Sequence, residues 1–212
     1  MKKVIYFLAV TALVTSCNSS KLAPVAKNAL KPTVVTQATP HDTDDPAIWI
    51  NKANPSQSLI IGTDKEKETG GLYAYDLQGK IVNKVYPMDR PNNVDIAYAL
   101  TLNGKKVDIA VVTERKKDQI RIFSLPDLKP IDNGGIAVFA DSEQKDPMGI
   151  SLYTSPSNGK IYAIVGRKEG VSGEYLYQYE LTDNKGTVTA NLVRKFGNYS
   201  GKKEIEAIMV DN

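Results

Sequence analysis

The sequence predicts an all-β fold, a β-propeller of four-stranded antiparallel blades, and three observations lead to it. From Asp44 onward the apolar residues come in short runs or alternate with polar ones between Gly, Asn, Asp and Pro, and no long stretch keeps a helical period. The runs group into a unit that recurs about every 45 to 60 residues, whereas the strands of a sandwich do not repeat in sequence. Within each unit four strand candidates follow one another through short turns, the pattern of a blade.

The chain begins with a separate signal. Lys2 and Lys3 precede an apolar run from Val4 to Val14, followed by Thr15, Ser16 and Cys17. That is a signal peptide over residues 1–17, too short to stay as a spanning helix, which needs about 20 apolar residues. Cys17 is the single cysteine among 212 residues, so no internal disulfide can form. Its place after small residues resembles the bacterial lipobox and predicts lipidation. Asn18 rather than Asp follows it, which favours an exported protein anchored at the outer membrane through lipid alone. Residues 18–41 are rich in Ser, Ala, Pro, Thr, Lys and Val, with Pro24, Pro32 and Pro40, and read as a tether before a body over 42–212.

Three units start at "DDPAIWI", "NNVDIAYAL" and "DPMGISLY". Each continues with a second apolar strand ("SLIIGTDK", "KKVDIAVVTER", "KIYAIVGRK") and a third rich in aromatics or other large apolar residues ("GLYAYDL", "QIRIFSL", "EYLYQYEL"). A less regular fourth strand closes each unit; Ile136–Phe139 is the candidate in the second. A further strand is expected at Ile205–Val210, giving about three blades and one strand. A ring closes with about 4 to 8 blades, so the chain reads as the N-terminal part of a longer propeller, inactive by itself. Tyr and Trp at alternate strand positions, Tyr175 among them, are expected to pack between blades. The "NGK" runs at 103–105 and 158–160 read as hairpin turns, and the glycines of "ETGGL" as a turn that serves no nucleotide, because no helix follows.

Aligned by first strands, the units share a second regularity. Acidic or amide residues stand at the start of strand one: Asp44 and Asp45; Asn92, Asn93 and Asp95; Asp146; then Glu204 and Glu206. A cation ends strand two: Lys65, Arg115 and Lys168. Antiparallel neighbours bring the start of one strand and the end of the next to one edge, so acids and cations are expected to share a rim. Charged residues also favour turns at strand ends for no functional reason; recurrence at one offset in three units favours a shared site. Carboxylates and carbonyl oxygens suit Ca²⁺, and Lys and Arg suit phosphate, with Arg able to make a two-pronged contact. The net charge of +3 is small and implies no nucleic-acid partner.

The motifs "DDPAIW", "GTDK" then "GGLYAYDLQGK", "RPNNVDI", "NGKKVDIAVVTER", "GKIYAIVGRKEG" and "EIEAIMVDN" resemble the β-propeller phytases in order and spacing, from about Asp42 onward. The resemblance implies a six-bladed propeller that releases inorganic phosphate from phytate, myo-inositol hexakisphosphate, with calcium at one end of the channel. It implies that Asp45 and the carbonyl of Pro46, with Asn93 and the carbonyl of Val94, are calcium ligands. Glu206 matches an acid of the catalytic calcium cluster, and Lys65, Arg115 and Lys168 match the cations that grip substrate phosphates. Met148 departs from the family, standing where better-known members have a phosphate-binding tyrosine. The single histidine, His41, and the single cysteine leave little for a covalent phosphatase mechanism. The expected partner is therefore phytate or another phosphorylated small molecule, bound by a full-length monomer. A non-catalytic surface-displayed propeller and a different metal-dependent propeller hydrolase, such as a lactonase, are the alternatives; the cations favour phosphate over lactone.

Overall fold

A computed structural model describes residues 25–211; the leader and Cys17 lie outside them. The chain divides into one unit that ends at Thr33 and a second over Val34–Asn212, which contains every strand. No helix among the described residues is long and apolar enough to cross a membrane.

The body is three antiparallel sheets in chain order. The first pairs β1 (Thr43–Trp49), β2 (Leu59–Asp64), β3 (Gly70–Tyr75) and β4 (Ile81–Met88). The second runs β5 (Pro91–Leu102), β6 (Lys105–Glu114), β7 (Gln119–Leu125) and β8 (Lys129–Pro130), and β9 (Ile136–Ala137) also pairs with β7. The third runs β10 (Pro147–Thr154), β11 (Ile161–Arg167), β12 (Leu176–Asn184) and β13 (Thr187–Phe196). The all-β expectation and the three four-strand repeats are therefore observed.

Period-two alternation explains how the sheets stack. Along β6, Ala110 and Val112 join the cluster of Trp49, Ile61 and Leu72 on the first sheet, while Ile109 and Val111 join that of Ile150, Val165 and Tyr177 on the third. The middle sheet is apolar on both faces for that reason. Each fully buried aliphatic or aromatic side chain there contributes about 1.5–3 kcal/mol. Trp49 is buried as expected, and its indole N–H also donates to Asp108 (2.9 Å) across the first two sheets.

The first strands of the three sheets, β1, β5 and β10, are stitched by side chains. Thr63, fully buried on β2, accepts from the Asp45 amide (3.0 Å) and donates to the Asn92 carbonyl (2.7 Å), so one hydroxyl spans β1 and β5. Thr113 on β6 does the same for β5 and β10, accepting from the Asn93 amide (3.0 Å) and donating to the Met148 carbonyl (2.8 Å). Carboxylates add a second stitch: Asp45 accepts from the Val94 amide (2.9 Å), and Asp95 from the Leu152 amide (2.7 Å).

Four expectations change. Ile205–Val210 forms no strand, because no described strand offers it a hydrogen-bonding ladder; its amide donor at Ile205 goes instead to the Tyr175 hydroxyl (3.1 Å). The strand expected over Ile136–Phe139 ends at Ala137, since Phe139 takes a left-handed φ of 55° and leaves the sheet to be buried. The strand expected from Gly71 begins one residue earlier, so Gly70 lies on β3 rather than in a turn; a Cβ on Gly70 would strike the Asp64 and Glu66 carbonyls and Pro91, so the glycine permits close packing. "NGK" at 103–105 is a two-residue hairpin with Asn103 and Gly104 at φ 50° and 75°, but the turn containing 158–160 is longer, closed by Ser155 donating to the Lys160 carbonyl (2.8 Å). Within the stretch read as a tether, the Gln37 amide donates to the Gly79 carbonyl (2.7 Å) and its side chain accepts from the Ile81 amide (2.7 Å).

Thr113→Val keeps shape but leaves the Met148 carbonyl and the Asn93 amide unpartnered inside the protein. It should cost about 1–3 kcal/mol, read as a lower urea midpoint at unchanged slope. An unaltered midpoint would show that the hydroxyl does not join β5 to β10.

Candidate functional site

The three repeated cations come together because their backbones are held alike. The Lys65 amide donates to the Asp42 carbonyl (2.8 Å), the Arg115 amide to the Arg90 carbonyl (3.1 Å) and the Lys168 amide to the Asp146 carbonyl (3.0 Å). Each bond ties the end of a second strand to the loop entering the first strand of its own sheet. This register makes Asp146 the counterpart of Asp42 and Arg90, and places Met148 where the other sheets have Asp44 and Asn92.

The residue before each cation secures the same loop from inside. Asp64, fully buried, accepts from the Asp42 amide (2.8 Å) and bonds the His41 ring (3.0 Å). Glu114, also buried, accepts from the Asp89 amide (2.8 Å). In the third sheet the polarity reverses: Arg167, 1% exposed, donates to the Gln144 carbonyl (2.9 Å) and to the Ser142 hydroxyl (2.7 Å). Its guanidinium packs against the rings of both Phe139 and Tyr177, 4.7 and 5.0 Å from their centroids, and Gly170 leaves room for it.

Lys65, Arg115, Lys168 and Glu206 line one cavity of about 160 Å³, together with Arg90, Asn92, Met148 and Glu204. Two of its cations carry counterions. Lys65 donates to Asp44 at 2.7 Å, which raises its pKa, and lies 3.9 Å from Asp42; Lys168 is 3.7 Å from Glu204. Arg115 is 6% exposed, and burial with Arg90 close by disfavours its charge and lowers its pKa. The Glu204 carboxyl is held below the usual range by its own backbone N–H and by Lys168 and Arg115.

Asp45, Pro46, Asn93 and Val94 do not line that cavity. They line a neighbouring groove of about 340 Å³ with Asp95, Ser151 and the run Ala207–Met209. Consecutive residues join the two spaces: Asn92 faces the cavity and Asn93 the groove. Burial raises the Asp45 pKa against the opposing Val94 N–H, and Asp44 adds to the rise. The side-chain oxygens of Asn92 and Asn93 are buried without a hydrogen-bond partner. Unsatisfied amide oxygens beside a partly desolvated carboxylate fit a hard cation such as Ca²⁺. Among the described residues no three His, Cys, Asp or Glu side chains group as metal ligands, so such an ion would rely on amide and carbonyl oxygens as well.

A family model described as Phytase matches residues 3–211. The chain belongs to the phytase family. Over 162 residues it is 36% identical to the 3-phytase of Bacillus subtilis (strain 168), an alignment that covers 72% of this chain and 39% of that relative. The phytase-family chain thus spans well under half the length of that protein.

Two participants escaped the sequence reading. Arg90 precedes β5 rather than ending a second strand, so the repeat does not select it, although it stands within "RPNNVDI". The spacing predicts packing alone for Tyr175; it is fully buried and does pack against Tyr199 (centroids 4.9 Å apart), but its hydroxyl also donates to the Arg167 carbonyl and accepts from the Ile205 amide. That hydroxyl sets the run Glu204–Glu206 against the end of β11, and Gly149 allows the fit, since a Cβ there would lie 2.8 Å from the Glu206 carbonyl.

Tyr175→Phe should therefore keep the packing and release the run. The expected result is a five- to tenfold faster hydrogen exchange of the Ile205 amide, the equivalent of one bond worth about 1 kcal/mol. An unchanged rate would mean that something else holds Glu204–Glu206.

Proposed function

We propose that this chain supplies part of the active site of a calcium-dependent phosphomonoesterase that releases inorganic phosphate from phytate. The observation that supports it best is the cavity in which Lys65, Arg90, Arg115 and Lys168 meet Glu204 and Glu206. Four cations around so small a space favour a substrate with several negative charges, and guanidinium forks suit phosphoryl oxygens. Membership of the phytase family and the likeness to a protein named 3-phytase agree with that chemistry.

In this reading the three sheets are blades of a propeller whose inner strands β1, β5 and β10 line the channel. Asp45 and Asn93, with the carbonyls of Pro46 and Val94, would hold calcium beside the cavity, and Glu206 would contribute from the third side. Bound calcium supplies charge neutralisation and acidifies coordinated water. The chain's own residues would do the remaining work: Arg115 would hold the phosphate, Lys65 and Lys168, paired with Asp44 and Glu204, would flank it, and Met148 would add an apolar surface to the cavity. A lipid on Cys17 would hold the enzyme at the outer membrane, where it would act as a monomer.

The full-length protein should release inorganic phosphate from phytate in calcium and lose that activity on chelation. Arg115→Ala should lower kcat/KM by about 10²-fold or more. Release that continues undiminished after chelation would defeat the calcium requirement, and none under any condition would defeat the phytase reading.

A further inference from the structure

The four cations of the cavity are not equivalent. Among the described residues neither Arg90 nor Arg115 has a carboxylate within 4.0 Å, whereas Lys65 and Lys168 each have one. The Nε atoms of both arginines are buried without a hydrogen-bond partner. Arg115 is buried and Arg90 partly buried, and Asp146, Glu204 and Glu206 act on Arg115 only from beyond ion-pair distance; an anion shared by the two neighbouring guanidinium groups would satisfy both.

The repeat shows how far this departs from the other sheets. Arg90 occupies the position of Asp42 and Asp146, whose carbonyls hold the amides of Lys65 and Lys168. In those sheets the acid at this position pairs with a lysine of the rim, Asp42 with Lys65 (3.9 Å) and Asp146 with Lys116 (3.3 Å). The middle sheet alone reverses the charge, putting a second arginine beside the first. The backbone enforces the pairing: Arg90 accepts from the Arg115 amide (3.1 Å) and donates to the Glu66 carbonyl (3.0 Å). Arg90 also holds φ at 58°, a left-handed conformation uncommon for any residue with a long side chain. Asp146, at the same position of the third sheet, also has a positive φ (32°), so the conformation belongs to the repeated loop and the charge is what distinguishes Arg90.

We infer that Arg90 and Arg115 together form a twin-guanidinium clamp for one dianionic phosphoryl group, with Arg90 a substrate-binding residue in its own right. The inference rests on the phosphomonoesterase reading and sharpens it. Two forks can make four hydrogen bonds to the three terminal oxygens of a doubly charged monoester, whereas a diester offers two such oxygens and a single charge and would leave one fork unpaired. Lys65 and Lys168, already neutralised by Asp44 and Glu204, would serve as outer, weaker contacts.

The test is titration of the full-length protein, calcium present, with inorganic phosphate as the probe, followed by calorimetry. Arg90→Met should weaken phosphate binding at least tenfold and Arg90→Lys by a smaller factor, since lysine keeps the charge but loses the fork. Arg194→Met, on β13 outside the cavity, should bind as the unaltered protein does. If the Met variant fails to fold, the Lys variant carries the comparison, because it keeps the stem and the charge. Phosphate binding unchanged in both Arg90 variants but lost in Arg115→Met would overturn the clamp and leave the phosphomonoesterase reading standing. Absence of phosphate binding in the unaltered protein would also overturn the clamp; calcium-dependent release of phosphate from phytate by the same preparation then decides whether that reading falls with it.

Discussion

The site depends on one backbone hydrogen bond made three times, from the amide of a cationic residue at the end of a second strand to a carbonyl just ahead of the first strand. Side chains could not achieve the same result, because lysine and arginine are long and lose much conformational freedom when held by their tips. Fixing the main chain instead sets the direction in which each side chain leaves, and the stacking of the sheets then aims three of them at one opening. Everything else at the rim adjusts this arrangement. Asp64, Glu114 and Arg167 brace the three loops from within, and Thr63 and Thr113 lock the first strands at the level where the loops begin.

The bracing residues show how a repeat can keep geometry while changing chemistry. A buried carboxylate accepts from loop N–H groups in the first two sheets; a buried guanidinium donates to a loop carbonyl and hydroxyl in the third. A buried charge left without such partners would be costly, and each of the three has them. The arginine needs more room and a softer lining than the acids, and it gets them from Gly170 and from the faces of Phe139 and Tyr177. The aromatic wealth of the third unit therefore has a local cause beyond filling space.

Much of this was legible in the sequence, and the rest was hidden for identifiable reasons. Strand periodicity located β1 to β7 and β10 to β13 closely, because half-buried strands must alternate. The cations Lys65, Arg115 and Lys168 were legible because they recur at one offset. Their pairing was not: which of them carries a counterion depends on loop geometry that no spacing encodes. The separation of Asp45 from the cation cavity was hidden too, since the pairing shifts register between Thr43 and Pro46 and between Pro91 and Val94, and no spacing shows which space a side chain faces across such an irregularity. Ile205–Val210 misled for a different reason. Its apolar alternation is genuine strand character, but a strand is defined by pairing, and the Tyr175 hydroxyl takes the Ile205 amide in its place.

The uneven charge pairing around the cavity has a functional logic. If all four cations were free, their mutual repulsion would weigh on the fold; if all were paired, no anion would gain by entering. Here Asp44 and Glu204 quiet the two lysines at the sides, and the unmet demand is concentrated on the two arginines. Concentrating it there gives the cavity an orientation: the proposed phosphoryl group would gain most by turning its oxygens toward Arg90 and Arg115. The oxygens of Asp45 and Asn93 line the neighbouring groove rather than this cavity. If calcium binds there as proposed, an anion drawn to the two arginines would be held beside it, as a metal-assisted hydrolysis requires.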